Sequence, residues 1–198
     1  MLFRSTLRSA LSEFHYDMKT ICAVRLPVGR DDLSELEVFV VLLEDRRFFQ
    51  HHGIDWKSII REFWKMCTFR RHGGASTIDM QLVRTVTGYR TRTFRRKGYE
   101  MLLSYALQKH MNKIEILRAY LHIAYFGTGI VGSKAAAETL YDKELFELSR
   151  YEAAQIASML VYPKPGIPTR PWRKKIKRRS TYGLRLFEKF GSRYMQRC

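Results

Sequence analysis

The sequence lacks a long apolar run, and its 198 residues include only three cysteines. The cysteines (Cys22, Cys67 and Cys198) are odd in number and far apart, which excludes a disulfide framework and a Cys-rich zinc site. The longest apolar run, Val38 to Leu43, has six residues, whereas a membrane-spanning helix needs about 20. Charged residues also interrupt positions 1–20, so we expect neither a transmembrane anchor nor a signal peptide in this chain.

Acidic residues are scarce as well, since 19 of them face 36 lysines and arginines, a formal net charge of +17. Eleven basic residues and one acid lie over 170–198, and six basic residues and no acid lie over 84–97. The basic cluster over 170–198 is either a solvated helix face or a surface that binds anionic lipid. Nucleic acid would also attract such charge, but no helix-turn-helix, RNA-recognition or zinc-finger pattern is present, so we expect no nucleic-acid partner.

Apolar residues recur at helical spacing along most of the chain, and little of it favours strands. With 45% hydrophobic residues the chain is too apolar for a disordered basic tail. The predicted fold class is therefore mainly α, in one domain. Helical patterns are present near Leu7, Leu11 and Phe14 and over 33–47, 56–67, 77–88, 94–111, 113–126, 135–140 and 150–161, and a basic final helix follows four prolines over 163–171.

Glu44 directly follows the apolar run, so its carboxylate borders the predicted core. A carboxylate in such a place is suited to proton transfer, although it could also be an ordinary charge that closes a helix. His51 and His52 come shortly afterwards. Adjacent histidines do not share a helical face, and no third ligand is suitably spaced, so structural histidines in a turn are favoured over a metal site.

A second segment begins with two glycines, which allow close approach of a ligand. Ser76 or Thr77 then caps a helix whose free N–H groups and dipole would suit a phosphate. Gln81 and Arg84 would project one turn further along. The alternative is a plain capping box made by Ser76 and Asp79, and this segment alone does not separate the two.

A third segment runs from Arg96 to Glu100 and places Arg96 and Lys97 on one helical face with Glu100. A surface salt-bridge ladder is the ordinary interpretation. However, the cations precede the acid, which is the weaker order, and Gly98 costs about 1 kcal/mol against Ala in mid-helix. These features favour a site for a polyanion.

Together the three segments resemble the peptidoglycan glycosyltransferases, which include the transglycosylase domains of penicillin-binding proteins and their monofunctional relatives. The family's first motif, E-D-x-x-F-x-x-H-x-G, is matched in full by Glu44, Asp45, Phe48, His51 and Gly53. The other matches are a glycine-rich motif from Gly74 to Gln81, R-K-x-x-E from Arg96 to Glu100, and a partly kept fourth motif with Lys113, Ile116, Leu117, Tyr120, Leu121 and Gly127. The resemblance implies a structural role for Asp45, Phe48, His51, Gly53, Gly74, Tyr120 and Gly127.

The sequence also departs from the family pattern. Arg118 stands where the family usually has Glu, His122 where it has Asn, and Thr85 where it has Asn. Asp79 puts a negative charge where a pyrophosphate is expected, and only a weak trace of the fifth motif follows Arg179. These departures leave a folded but inactive relative as an alternative.

The resemblance implies a lysozyme-like α fold with a helical core lobe and a smaller membrane-proximal lobe. A glycosyltransferase domain over 33–198 would follow an amphipathic lead-in over 1–32. The implied reaction is inverting polymerisation of lipid-linked disaccharide-peptide (lipid II) into glycan strands, with release of undecaprenyl pyrophosphate. A lytic enzyme on the same fold is the nearest rival, although a glycan-cutting cleft has no use for cations around Glu100.

The same resemblance assigns roles to individual residues. Glu44 is implied to be the general base, while Glu100 either orients the neighbouring cations or helps to hold a divalent metal, Mg or Mn; no organic cofactor is expected. The implied partners are the lipid-linked precursor, the growing strand, an anionic membrane surface and other cell-wall synthesis proteins, at the outer face of the bacterial cytoplasmic membrane. The residues assigned to the pyrophosphate are Ser76, Thr77, Gln81, Arg84, Arg96, Lys97 and Lys113.

Overall fold

The computed structural model describes residues 2–26, 32–68, 74, 76–88 and 93–195, and the mainly α prediction is confirmed. Short 3-10 turns at Phe48–Gln50 and Leu145–Glu147 accompany the helices. The helices are α1 (Leu2–Ala23), α2 (Glu35–Glu44), α3 (Trp56–Cys67), α4 (Ile78–Thr87), α5 (Phe94–Leu107), α6 (Lys113–Ile123), α7 (Ser133–Tyr141), α8 (Arg150–Met159), α9 (Arg170–Phe190) and α10 (Ser192–Met195).

A small hairpin replaces the last turn of the helix predicted over 113–126. Strand β1 (Tyr125–Gly127) pairs antiparallel with β2 (Ile130–Val131). Strands of two and three residues are too short to show alternation in the sequence, which explains why they escaped prediction. Gly127 has a structural role, because a Cβ there would lie 2.5 Å from the backbone oxygen of Lys164.

Helix α2 is the centre of the core. Ser34 and Glu37 form a reciprocal capping box at its start, and the residues from Val38 to Leu42 are all buried. Because α2 packs against α8 and α9 and its residues from Leu36 to Leu42 are buried, the helix is held firmly in the core. Glu44, its last residue, is therefore positioned by the core itself.

Close packing between α9 and α2 depends on a glycine. A Cβ at Gly183 would lie 3.2 Å from Leu43 Cδ1, and Phe187 stacks on Phe39 with ring centroids 4.8 Å apart. Thr169 caps α9, and Pro171 occupies its first turn, where its missing N–H has no cost. Among the described residues, no helix combines the length and apolar character needed to cross a membrane.

Helix α1 packs against α4 and α5, with Met18 and Ile21 buried in the same core as α2. The stripe predicted at its start is wrong at Leu11, which is 52% exposed; the buried face lies further along and begins with half-buried Phe14. The side chain of Leu7 lies outside the described residues. Since α1 shares the core, the boundary between a lead-in over 1–32 and a domain over 33–198 stays a prediction.

Helix α3 presents three large apolar side chains to solvent, while the side chains of Phe63 and Cys67, on the same predicted stripe, lie outside the described residues. Trp56, Ile60 and Trp64 follow one another at intervals of four residues and are 59%, 56% and 66% exposed. The sequence indicated an ordinary helical stripe, which would normally be buried. Here these three side chains are left uncovered, so the expectation of a buried stripe is wrong for them.

Candidate active site

Glu44 lines a cleft of about 700 Å³ between the end of α2, the face of α3 and the start of α4. Its side chain is 9% exposed, and Oε1 accepts a hydrogen bond from Arg179 Nη2 at 2.7 Å. Oε2 lies 3.4 Å from Gln81 Nε2. The carboxylate thus has a fixed orientation and still borders the cleft, as a general base requires.

Arg179 is a site residue that the sequence did not single out, because it stands inside a run of cations. It lies one turn after Ile176 and one turn before Gly183, both buried, whereas its neighbours Lys177 and Arg178 are exposed. This spacing was the signal that could have found it. Arg179 Nη2 also donates to the carbonyl of Leu43 at 3.0 Å, which ties α9 to the end of α2.

Gln81 holds Glu44 from the other side. Its Oε1 accepts a hydrogen bond from the Tyr120 hydroxyl at 2.6 Å while its amide nitrogen faces Glu44. Burial, and next the Glu44 charge, raise the pKa of the Tyr120 phenol, so it stays protonated and donates. Gln81 and Tyr120 therefore position the candidate base, and Gln81, with both ends of its amide engaged, is a poor candidate for the predicted phosphate contact.

Three cations surround Glu100, which is 3% exposed. The carboxylate lies 3.4 Å from Arg84, 3.3 Å from Arg96 and 3.4 Å from Lys97. We call these three side chains the cation cluster. One negative charge among three positive ones leaves a net positive surface, and the partly exposed Arg84 and Lys97 can turn towards an anion.

Lys97 connects the cation cluster with the cleft. Its Nζ donates to Ser76 Oγ at 3.1 Å, and Ser76 lines the same cleft as Glu44. Burial lowers the pKa of Lys97, and the Glu100 charge opposes that shift. The structure thus brings together five of the residues that the sequence proposed for the anion site, namely Ser76, Arg84, Arg96, Lys97 and Glu100.

Glu100 does not fit the alternative role of metal ligand. Both of its oxygens lie within 3.4 Å of a guanidinium or ammonium group, and a divalent ion at the same oxygens would be repelled by all three. The arrangement fits the other role, in which the carboxylate orients the cations. We therefore derive no step from a metal at this position.

Thr77 is anchored in the fold rather than free for a ligand. It is 2% exposed, its hydroxyl donates to the Gly53 carbonyl at 2.7 Å, and it caps α4 through Met80 N at 3.2 Å. The capping box of Ser76 and Asp79 is wrong, because the cap is Thr77. Gly53 has φ +78°, and a Cβ there would lie 2.3 Å from the Ser104 carbonyl oxygen, which explains the glycine.

Lys113 does not join the cation cluster. Lys113 Nζ lies 2.9 and 3.1 Å from the two carboxylate oxygens of Asp79, and 4.3 Å from the centre of the Phe48 ring. Asp79 is fully buried and also accepts a hydrogen bond from Gln108. Burial raises the pKa of Asp79 and lowers that of Lys113, and each charge opposes the shift of the other. The predicted pyrophosphate role of Lys113 therefore lacks geometric support, and the awkward charge of Asp79 is neutralised within the core.

Asp45 and His51 form a second buried pair, in which Asp45 Oδ2 lies 3.0 Å from His51 Nε2. The same oxygen accepts a hydrogen bond from Ile78 N at 3.2 Å. This matches the structural interpretation of His51. Possible ligand atoms of Asp45, His51 and Asp79 lie within 4.8 Å of one another, a spacing that could suit a metal. The Lys113 ammonium already on Asp79 makes the group a closed structural network instead.

The departures from the family pattern lie away from the cleft. Arg118 Nε donates to Glu37 Oε1 at 2.8 Å, in the first turn of α2 and about 10 Å along that helix from Glu44. His122 and Thr85 are exposed. Gly74, which matches the family motif, is also exposed and lines the cleft. In the described part of the chain, none of Arg118, His122 and Thr85 forms a hydrogen bond or ion pair with Glu44 or Glu100.

Comparison with known proteins gives a consistent match. A family model described as transglycosylase matches residues 24–186. A protein of Cupriavidus necator named as a transglycosylase is 38% identical over 143 residues, 72% of this chain and 62% of the relative. A biosynthetic peptidoglycan transglycosylase of Aeromonas hydrophila is 34% identical over 148 residues, with 75% and 60% covered.

A further relative is penicillin-binding protein 1F of Bacillus subtilis, which is 31% identical over 159 residues, 79% of this chain. The match covers 22% of that protein. The chain thus spans about three fifths of the length of the two transglycosylases and under a quarter of the penicillin-binding protein.

Proposed function

Because the chain belongs to the transglycosylase family, with the lysozyme-like α fold of that family, we propose that it polymerises lipid-linked disaccharide-peptide into glycan strands. The relatives named for peptidoglycan biosynthesis support the substrate class. The leaving group would be undecaprenyl pyrophosphate, and the product would extend the bacterial cell wall.

In the proposed reaction, Glu44 takes the proton from the 4-hydroxyl of the acceptor sugar. The hydroxyl oxygen attacks the anomeric carbon of the growing strand, and the bond from that carbon to the pyrophosphate oxygen breaks. Inversion places base and leaving group on opposite sides of the ring. The cation cluster, with Ser76, would receive the pyrophosphate, whose charge develops in the transition state, so these contacts would speed the step rather than only bind substrate.

One observation carries this proposal: helix α4 joins the candidate base to the cation cluster. Gln81 faces Glu44 and Arg84 faces Glu100, three residues apart on the same helix face. One rigid helix therefore fixes the position of the base relative to the anion site. A displacement reaction with an anionic leaving group needs both groups held in such a fixed arrangement.

The direct test is incubation of the purified protein with lipid-linked precursor, with the glycan product resolved on a gel. We expect Glu44→Gln to abolish the product while the far-ultraviolet circular dichroism stays unchanged. Glu138→Gln, at an exposed glutamate of α7, is the matched control and should polymerise at the parental rate. Polymer made by Glu44→Gln at the parental rate would overturn the assignment of the base, and no product from the parental protein would favour the inactive relative.

The cation cluster also separates this proposal from a lytic enzyme on the same fold. Hydrolysis of glycan releases no pyrophosphate, so the cation cluster would have no anionic leaving group to bind in a lytic enzyme. Incubation of purified sacculi with the protein should release no muropeptides. Release of muropeptides together with absence of polymer would support the lytic alternative.

The exposed stripe of α3 supports a peripheral location at the cytoplasmic membrane, on the outer face where the lipid-linked substrate would be used. Tryptophan suits the boundary between lipid and water, and Lys57, Arg61 and Lys65 interleave with the stripe. We expect Trp56→Ser/Ile60→Ser/Trp64→Ser to lose binding to anionic vesicles. Replacement of two apolar residues exposed elsewhere, Phe146→Ser/Ile167→Ser, should have no effect and is the control.

A requirement for Mg or Mn, and recruitment by other cell-wall synthesis proteins, stay proposals. A divalent ion would arrive with the substrate pyrophosphate, since Glu100 is occupied by cations. We therefore expect Glu100→Gln to leave unchanged the metal concentration that gives half-maximal rate. A large increase in that concentration would show that Glu100 does hold the metal.

A further inference from the structure

A basic groove of about 640 Å³ runs along the outer face of α9. We call it the α9 groove. Its walls include two tyrosines, and cations follow at one-turn intervals along the helix. The residues that define it are Tyr162, Lys174, Lys177, Arg178, Tyr182 and Arg185.

The cations of the α9 groove have no acidic partner among the residues that the structure describes. Within the described residues, no carboxylate lies within salt-bridge distance of Lys174, Lys177, Arg178 or Arg185, whereas Arg179 beside them is paired with Glu44. Four cations around one groove, with no carboxylate nearby to neutralise them, create a positive electrostatic potential there. These exposed cations therefore form a surface that attracts an anionic ligand.

The groove adjoins the catalytic cleft. Arg179 lines the groove and its guanidinium lies 2.7 Å from Glu44, which lines the cleft. A ligand in the α9 groove would therefore lie next to the sugar that Glu44 deprotonates. In the proposed substrate, that sugar belongs to a disaccharide that carries a peptide branch, and a peptide chain ends in a carboxylate.

The length of the groove fits an extended peptide. Lys174 and Arg185 are eleven residues apart, which is about 16 Å along the helix. A fully extended chain of about five residues covers the same distance. Tyr162 and Tyr182 supply flat ring surfaces against which the peptide can pack.

We propose that the α9 groove binds the acidic peptide branch of the substrate and thereby places the acceptor sugar at Glu44. This inference rests on the proposed function for the identity of the substrate. The ligand class is an extended peptide with two or more carboxylates, held by ion pairs along one helix face. Loss of these contacts would weaken binding of the acceptor without altering the base.

The test measures binding of a soluble synthetic pentapeptide with free carboxylates, by titration calorimetry and without any polymerisation. We expect Lys177→Gln/Arg178→Gln/Arg185→Gln to bind it about tenfold more weakly than the parental protein. Arg170→Gln/Arg173→Gln/Lys189→Gln removes the same charge from the same helix outside the groove and should keep the parental affinity. Equal losses in both variants would reduce the effect to net charge and overturn the site.

Further titrations distinguish the acidic peptide from other anionic ligands. The same peptide with amidated carboxyl groups should not bind, and inorganic pyrophosphate should not compete with the acidic peptide. Competition by pyrophosphate would overturn the peptide assignment in favour of a phosphate. Loss of binding to phosphatidylglycerol vesicles in Lys177→Gln/Arg178→Gln/Arg185→Gln, but not in its control variant, would overturn it in favour of a lipid headgroup. Glu44→Gln should bind the peptide normally, so a failed polymerisation assay and a failed peptide assay remain distinguishable.

Discussion

Arg179 and Glu44 form an ion pair at 2.7 Å that joins the basic helix α9 to the end of the central helix α2. The same guanidinium nitrogen donates to the Leu43 carbonyl, so a single side chain fixes both the carboxylate and the backbone beside it. The pair gives one of the many cations of α9 a role in orienting the candidate base.

Replacement of Arg179 should therefore reduce turnover more than substrate binding. We expect Arg179→Met to lower kcat by about a hundredfold, because a base misplaced by about 1 Å loses roughly that much. Arg179→Lys keeps one charged donor and should recover part of the rate. Initial rates with lipid-linked precursor measure this, and Arg173→Met, at an exposed position of α9 outside the α9 groove, is the matched control for kcat. A parental kcat in Arg179→Met would show that Gln81 alone orients the base.

Binding of the pyrophosphate group should weaken at alkaline pH. Burial lowers the pKa of Lys97, so this lysine loses its positive charge at a lower pH than an ordinary lysine. The charged groups that face it are Glu100, Arg84 and Arg96, and neither arginine titrates in this range. Affinity should be highest below the Lys97 pKa and fall as pH rises through it, while Lys97→Arg should keep its affinity.

Titration calorimetry with inorganic pyrophosphate between about pH 7 and pH 10 measures this limb. Lys109→Arg, on the exposed end of the same segment, serves as control and should keep the alkaline decrease. An identical decrease in Lys97→Arg would assign the titration to another group.

The sequence predicts the fold class and the parts of the site that local spacing defines. Arg96, Lys97 and Glu100 are three and four residues apart on one helix, so their proximity follows from helical geometry alone. Glu44 is likewise fixed by the apolar run before it. These predictions depend only on residues close together in the chain.

Contacts between distant segments could not be predicted in the same way. The pairing of Lys113 with Asp79 joins residues 34 positions apart, and the motif match assigned Lys113 to substrate instead. The contact of Arg179 with Glu44 spans 135 positions. Since only tertiary packing decides which cation of a basic run reaches a given carboxylate, charge counting alone cannot separate a structural lysine from a binding one.

Lys113 should prove to be a stability residue. Lys113→Met would leave the buried Asp79 carboxylate without its cation, and we expect the free energy of unfolding to fall by about 3–5 kcal/mol. The double variant Asp79→Asn/Lys113→Met removes both charges and should recover most of that loss. Denaturant unfolding measures the effect, with exposed Lys109→Met as control. If Lys113→Met unfolds like the parental protein but binds pyrophosphate more weakly, the predicted substrate role would be restored.

Two glycines of the matched motifs should respond in opposite ways to alanine. Gly98 lies on an exposed face of α5, and a Cβ there would meet no atom within 4 Å, so Gly98→Ala should raise the free energy of unfolding by about 1 kcal/mol. Gly53→Ala should destabilise the protein, because its φ of +78° and the Ser104 carbonyl oxygen 2.3 Å from the new Cβ oppose any side chain.

Gly98→Ala also tests why the sequence accepts a glycine in mid-helix. Since Lys97 and Glu100 meet away from the open side of Gly98, we expect the variant to keep the parental affinity for inorganic pyrophosphate. Calorimetric titration beside denaturant unfolding gives both quantities on one preparation. A stabilised variant with weakened pyrophosphate binding would show that the ligand approaches the backbone at Gly98, and that its helix cost serves the anion site.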